Sequence, residues 1–454
     1  MYTKSMFNYQ LPYKICDPIH GFIRFDEIER KVIDTGFFQR LRYIRQMGVS
    51  YLVYPGANHT RFEHSLGVMD LATRIYETIM AKHNLVFSQM VPIHLEEKAY
   101  WCRILRLAAL CHDMGHLPFS HTAEPDLFPT GGHERMTFKI IQSEALRTIW
   151  RMIPSQGRSV EEDILKLCVS EKELKEFDPK IVLGSWESVL SQVITEDNFG
   201  ADRMDYLIRD AQNTGVGYGH FDYHQLIDTL RILPSLKETH LLTIGVAEGG
   251  VQSIESLWIA RYLMSARVYQ HPKARIFNYH MCRFMTHHYS KKGFPTALAG
   301  YVRETDATIL AALYQAADEG DYDALTLLKE EKGFQEILVD SHTEAKVIEN
   351  LEELKKYKEI LFVDYDPDAK EVEHLRQFPV LSESGPVMLS SQVSPFLRDI
   401  PIGSKKLRLF AHPDKVEEIK AILSHHHIVI QMIHYPDREN DNDDNDGNGR
   451  SKNN

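Results

Sequence analysis

A chain of 454 residues, 43% of them apolar, can bury one large core and a smaller lobe, and it carries a formal charge of -12. That balance argues against broad duplex binding, which needs a cationic stripe, although a local basic pocket is compatible with it. No run of about eighteen apolar residues offers a membrane span, and the five scattered cysteines form no CxxC pair, which points to a reducing, cytoplasmic compartment.

The opening stretch, MYTKSMFNYQLPYKICDPIHG, lacks the continuous apolar segment of a secretory signal. In FFQRLRYIRQMG, Phe38, Leu41 and Met47 face a core and leave charged residues between them. In VMDLATRIYETIMAKH, Val68, Leu71, Ala72, Ile75 and Ile79 follow helical spacing and form one apolar face. HLEEKAYWCRILRLAALCHDMG starts polar and turns apolar from Ile104 to Leu110, as a helix entering a core does; Gly115 and Pro118 end it. His112 and Asp113 therefore fall near the C-terminal end of a buried helix. LSQVITEDNFGADRMDYLIRDAQNTG reads as two helical pieces broken near Gly200 and stopped at Gly215.

After about residue 300 the pattern changes. EILFVDYD and KLRLFAH read as strands, DKVEEIKAILSHHH as a helix and IVIQMIH as another strand. The expected architecture is mainly α, with a helical core over 1–300 and a smaller α+β lobe over 301–436. The stretch 437–454 has no apolar residue, so it cannot offset its ordering entropy and is expected to be disordered.

LCHDMGHLPFSH, residues 110–121, concentrates three histidines and an aspartate. Divalent metals in phosphate enzymes are held by imidazole and carboxylate, often from separate helices, with positions left open for water and substrate. His112 and Asp113 are two such groups. His64, in GANHTRFEHSLGV, is a third, and Asp202, in FGADRMDYLIRD, a fourth. A lone His-Asp pair is a weak signal; the order H…HD…D, each beside a helix signature, is much stronger. Other histidines have plainer readings. His116 supports His112 from one turn away, His20 belongs to a turn, and the HHH at 425–427 is a solvated helix end.

These motifs resemble the HD-domain superfamily, and within it the dNTP triphosphohydrolases related to the mammalian SAM- and HD-domain protein. The resemblance rests on DPIHGFIRF, IDTGFFQRLRYIRQMG, PGANHTRFEHSLGV, LCHDMGHLPFSH, HERM, DRMDYLIRD and RVYQH, which run in family order from residue 17 to about 275. No N-terminal SAM domain is expected, because the signature begins almost at once.

The resemblance implies an HD-domain helical core and a metal set of His64, His112, Asp113 and Asp202. The ion is one divalent metal (iron, manganese, zinc or magnesium), with additional magnesium arriving on the triphosphate. It implies attack of water on the α-phosphorus of a deoxynucleoside triphosphate, releasing deoxynucleoside and intact triphosphate. His121 matches the general acid that protonates the leaving 5′-oxygen. Glu124 stands where the family has an aspartate orienting that histidine, and His133 matches a second pocket histidine. Arg61, Arg203 and Arg261 match phosphate-binding positions, Arg203 replacing a lysine. Gln46 and Asp210 match residues on the sugar 3′-hydroxyl. Tyr206 and Tyr269 match aromatics on the sugar, the latter excluding a 2′-hydroxyl; without the resemblance both read as core aromatics.

The family often needs a guanine nucleotide bound between subunits, in a homodimer or homotetramer. Asp34, Gln39 and Arg42 match residues that read guanine there. Where the family has basic residues on the activator's phosphates, this chain has His224, Gln225, Ala247 and Gly249, and Ser265 and Pro272 replace a histidine and a lysine. Without cationic partners, triphosphate binding at that site is expected to weaken greatly.

Two other functions are compatible with the scaffold. One is a different HD phosphohydrolase acting on nucleotides or nucleic-acid ends. The other is a non-catalytic nucleotide- or nucleic-acid-binding regulator; the full ligand set argues against it, because buried carboxylates without a cation are costly.

Overall fold

The computed structural model describes residues 10–82, 94–128, 130–196, 198–236, 241–329, 332–365, 377–400 and 407–431. The expected disordered stretch 437–454 and the first nine residues lie outside them. Among the described residues the chain is mainly helical, with small sheets. No described helix is long and apolar enough to cross a membrane.

Four helices carry most of the site. Helix α1 spans Arg61–Lys82, and Val68, Leu71, Ala72, Ile75 and Ile79 are all essentially inaccessible, as their spacing requires. Helix α2, Leu95–Cys111, packs along α1 and buries Ile104, Leu105, Leu107, Ala108, Ala109 and Leu110. It stops with His112 at the C-cap, so the HD pair lies just past the last turn. Helix α3 is Gly132–Ile141 and helix α4 is Ala201–Thr214. Gly200 caps α4 in an extended conformation, and Gly215 closes it at φ +76°, a left-handed angle that glycine adopts without steric cost.

FFQRLRYIRQMG forms no single helix. It forms a short helix, Gly36–Gln39, followed by a 3-10 turn, Arg40–Tyr43. Phe38 and Leu41 are buried as expected, while Met47 is only partly so.

A division at residue 300 does not match the structure. One compact unit takes the described residues within Met1–Gly333 and Asp366–Lys405; the other takes those within Phe334–Tyr365 and Lys406–Asn454. Two packing facts explain this. Helix α5, Pro272–Tyr289, buries Met281, Phe284 and Met285 with Ile309 and Leu313 of helix α6, Asp306–Asp318, which would be exposed if the unit ended at 300. In addition, strands Leu230–Pro234 and Leu242–Ala247 pair antiparallel, and Pro379–Leu381 joins the second of them in parallel, Val246 opposite Val380. Val387–Leu389 completes that sheet.

The second unit has its own four-stranded sheet. Its strand order is Ile430–Gln431, Gln335–Val339, Arg408–Ala411, Leu361–Asp364. Helix Val416–His425 contributes Ile419 and Leu423 to a core with Ile337, Leu361, Leu409 and Ile428. The strands and helix read from the sequence of this region are therefore present, within a smaller and discontinuous lobe.

Candidate metal and acid–base site

The first turn of α1, the end of α2 and one face of α4 converge. Asp202, Asp205, Tyr206, Arg209 and Asp210 stand three or four residues apart on α4, so they share a face toward α1 and α2. His64 Nε2 lies 2.9 Å from Asp202 Oδ1, and His112 Nε2 lies 3.6 Å from the same oxygen. Ligand atoms of His64, His112 and Asp202 all fall within 4.8 Å of one another.

Both imidazoles are held in the tautomer a cation needs. His64 Nδ1 is bonded to Asp205 Oδ2 at 2.8 Å and His112 Nδ1 to the Ala109 carbonyl at 2.8 Å. A proton on each Nδ1 leaves a lone pair on each Nε2, facing the shared space. His112 Nε2 is buried and makes no hydrogen bond among the described residues. A buried, unsatisfied acceptor beside two carboxylates is what a divalent ion relieves, so the donor set fits one.

Asp113 is adjacent but differently engaged. Its carboxylate lies 3.4 Å from His112 Nε2 and 3.5 Å from His64 Nε2, and it is bonded by Arg61 Nη1 and, at 3.1 Å, by His116 Nε2. Burial penalises its charge, but the Arg61 guanidinium and the flanking imidazoles hold its pKa well below the usual carboxylate range. Burial likewise opposes charge on His64, yet its hydrogen bonds to Asp202 and Asp205 raise its pKa to about 10. A cation bound at Nε2 would take the place of the second proton that Asp202 favours there.

Asp205 is the member that sequence reading missed. It is fully buried and accepts from His20 Nε2 at 2.6 Å, from His64, and from Arg209 Nε and Nη2 at 2.8 and 2.9 Å. Arg209 continues to Asp17 at 2.8 Å, and Asp17 also accepts the backbone N–H of His20. The DPIHG turn therefore supports His64 from outside, through Asp205. Its signal was present as an Asp-x-x-His spacing, but nothing local revealed the partner. A Cβ at Gly67 would collide with Asp205 Oδ1, so the close approach of α1 and α4 here requires glycine. Asp205→Asn is expected to lower metal affinity about ten- to a hundredfold with the fold retained, measured by metal titration; unchanged affinity would remove Asp205 from the site.

A second cluster adjoins the first. Glu124 Oε2 bonds His121 Nδ1 and Glu124 Oε1 bonds His133 Nδ1, both at 2.8 Å, and Oε1 also accepts the His133 backbone N–H at 2.7 Å. The longer side chain at 124 thus orients two histidines at once. Burial opposes its ionisation, but the two imidazole bonds push its pKa far below the carboxylate range. His133 stacks on His116 with ring centroids 3.8 Å apart, and His121 lies edge-on to both. The His121 side chain is 66% exposed at the mouth of the site. Desolvation by the cleft walls, with His133 and Arg61 nearby, lowers its pKa despite Glu124. Gly132 takes φ +42°, and a Cβ there would strike the Glu124 carboxylate.

These groups open into a cavity of about 620 Å³. Gln46, Arg61, His112, Asp113, His121, His133, Asp202, Tyr206, Asp210 and Tyr269 line it, so most of the proposed substrate residues are brought together. Tyr269 OH donates to Asp210 Oδ2 at 2.7 Å, and His59 Nε2 bonds Asp210 Oδ1 at 2.7 Å. The Gln46 side-chain oxygen is buried without a hydrogen bond among the described residues. Arg203 and Arg261 are not among the lining residues; Arg203 Nε bonds Tyr206 OH at 3.1 Å. Arg275 and Asn278 of α5 line the cavity and were not anticipated.

Asp34, Gln39 and Arg42 lie apart from this cavity. Arg42 Nε donates to Gln39 Oε1 at 2.9 Å, Gln39 Nε2 donates to the Ile33 carbonyl, and Arg42 covers the Phe62 ring. Asp34 pairs with Arg30 at 3.4 Å. His224, Gln225 and Gly249 are exposed and Ala247 partly so. His425 ends its helix in solvent, as expected of the HHH run, and His426 bonds Asn350.

Residues 61–207 match the HD domain model, and residues 221–376 match the model described as the HD associated region. An uncharacterized protein of Methanocaldococcus jannaschii is 36% identical over 268 residues, 58% of this chain and 47% of that protein. The deoxynucleoside triphosphate triphosphohydrolase SAMHD1 of Bos taurus is 32% identical over 283 residues, 58% of this chain and 45% of its own length. The chain thus spans about half the length of these curated relatives. A crystal structure of a hypothetical protein from Aquifex aeolicus has a TM-score of 0.69 and 31% identity, covering 90% of this chain and 99% of that one.

Proposed function

The chain belongs to the HD-domain family, and from that premise we propose that it hydrolyses deoxynucleoside triphosphates to deoxynucleoside and triphosphate with a divalent metal ion. The observation that carries this reading is one cavity of nucleotide size, about 620 Å³, holding both a cation donor set and a separate carboxylate-oriented histidine pair. His64, His112 and Asp202, with Asp113 beside them, would hold the ion. When bound, it lowers the pKa of a water and offsets charge on the phosphate oxygens.

The protein's own groups do the rest. Arg61, fixed by Asp113 and by Ser120 Oγ at 2.8 Å, presents a guanidinium to the phosphates. His121 donates a proton from Nε2 to the leaving oxygen, while Glu124 keeps Nδ1 protonated and the ring aimed. Gln46 and Asp210 take the sugar hydroxyl, and Tyr269, pinned by Asp210, closes on the 2′ position. The position of Arg203 and Arg261 outside the lining favours a second reading, another nucleotide phosphate ester with its phosphates on Arg61 and Arg275.

Product analysis separates the two. Purified protein is incubated with each dNTP and with iron, manganese, zinc or magnesium. Intact triphosphate and deoxynucleoside are expected; pyrophosphate or phosphate would overturn the proposal.

Activity is expected to depend little on GTP or dGTP. The surface around His224, Gln225, Ala247 and Gly249 has no cations at those positions, and an activator must bind the active state better than the inactive one. Steady-state rates with and without GTP, alongside light scattering for a dimer or tetramer, provide the check. Strong activation with oligomer growth would refute it.

A further inference from the structure

Two residues immediately before His121 adopt left-handed backbone angles, Phe119 at φ +57° and Ser120 at φ +59°. Neither is glycine, so something must hold the turn. The brace comes from the start of α6. Asp306 is 2% exposed; its Oδ1 accepts the Phe119 N–H at 2.7 Å and its Oδ2 accepts the Arg45 N–H at 2.9 Å. Ser120 Oγ donates to the Arg45 carbonyl at 2.7 Å and accepts from Arg61 Nε at 2.8 Å, which closes the ring. The preceding segment reinforces it. Tyr301 OH donates to the Gly115 carbonyl, and Arg40 donates to the carbonyls of His116 and Glu304 at 2.7 and 2.8 Å. One buried carboxylate therefore ties the strand-like entry to Gln46, the Arg61 anchor and the turn carrying His121.

We propose that Asp306 is a positioning residue for the reaction: it never meets substrate, but its two backbone hydrogen bonds hold the strained Phe119–Ser120 turn that aims His121 and Arg61. This rests on the hydrolase reading given above. Asparagine keeps the volume of Asp306 but replaces one acceptor with a donor, which faces a backbone N–H; alanine removes both acceptors. A displacement of about an ångström in a catalytic group costs up to roughly a hundredfold in rate.

The experiment compares wild type with Asp306→Asn and Asp306→Ala, reading kcat, KM, metal content and melting temperature. The expected result is a kcat about ten- to a hundredfold lower, the loss larger for alanine, with KM within about twofold and metal content unchanged. The His121 imidazole resonance, followed by NMR titration in zinc-loaded protein, is expected to move in Asp306→Asn. That measurement needs no turnover, so it separates failure here from failure of the hydrolase reading. Folded variants with wild-type kcat and an unmoved His121 resonance would overturn the proposal, as would a rate loss that only follows metal loss. Should both variants fail to fold, the wild type decides. Burial pushes the Asp306 pKa up to about 6 against its N–H bonds and Arg45, with Arg40 and Tyr51 also facing it. Protonation replaces an acceptor, so kcat per bound metal, with metal content measured at each pH, is expected to fall as pH drops through about 6. A rate per metal flat to well below that pH would sink the idea.

Discussion

Replacing His112 or Asp202 by alanine is expected to abolish both bound metal and turnover. Each removes one of three donors whose ligand atoms lie within 4.8 Å of one another. In His112→Ala the inward Nε2 is lost outright. In Asp202→Ala, His64 loses the carboxylate 2.9 Å from its Nε2 and keeps Asp205 on the far nitrogen, with Asp113 3.5 Å from Nε2. The charge stabilisation a divalent ion supplies is worth several kcal/mol, about a thousandfold or more in rate. Elemental analysis and steady-state rates on the same preparations make the check. A variant that kept wild-type metal content and rate would show that the ion is held elsewhere. Because ligands bind metal only when deprotonated, occupancy should also fall as pH is lowered, which the same elemental analysis can follow.

His121→Ala is expected to behave in the opposite way, keeping the metal and the fold while losing about a hundred- to ten-thousandfold in rate. The ring is 66% exposed, so its removal costs little packing, and it touches neither His64, His112 nor Asp202 in the hydrogen-bond network. In the free protein desolvation by the cleft walls, with His133 and Arg61 nearby, lowers its pKa despite Glu124. On the proposed reaction, an incoming triphosphate would place negative charge beside the ring and favour the imidazolium, so the substrate itself would arm the acid. The working form is the protonated one; kcat is therefore expected to fall as pH rises through the His121 pKa in the complex. A variant within a few-fold of wild type would remove His121 from the mechanism.

The local parts of this protein were legible in its sequence. The apolar faces of α1 and α2, the break at Gly200, the stop at Gly215 and the strands near 361 and 408 all follow from periodicity and capping, which act over a few residues. The meeting of His64, His112 and Asp202 in one cluster that could hold a metal was anticipated too, because histidine and aspartate beside helix ends have few other reasons to recur in that order.

Tertiary packing decided what stands behind them. His20 and His64 meet on Asp205 across 185 and 141 residues, and Asp306 reaches Phe119 across 187. No pattern along the chain encodes such a pairing, since each partner alone is an ordinary buried acid. The division of the chain has the same origin. Residues 301–333 look like the start of a second lobe by composition, yet Ile309 and Leu313 bury against Met281 and Phe284, and Asp306 accepts the Phe119 N–H. Arg275 lines the cavity while Arg203 turns to Tyr206, because which cation faces the pocket depends on how α4 and α5 are rotated against their neighbours. Spacing specifies a helix and its apolar stripe; the rotation that aims its polar residues is set by the surfaces it packs on.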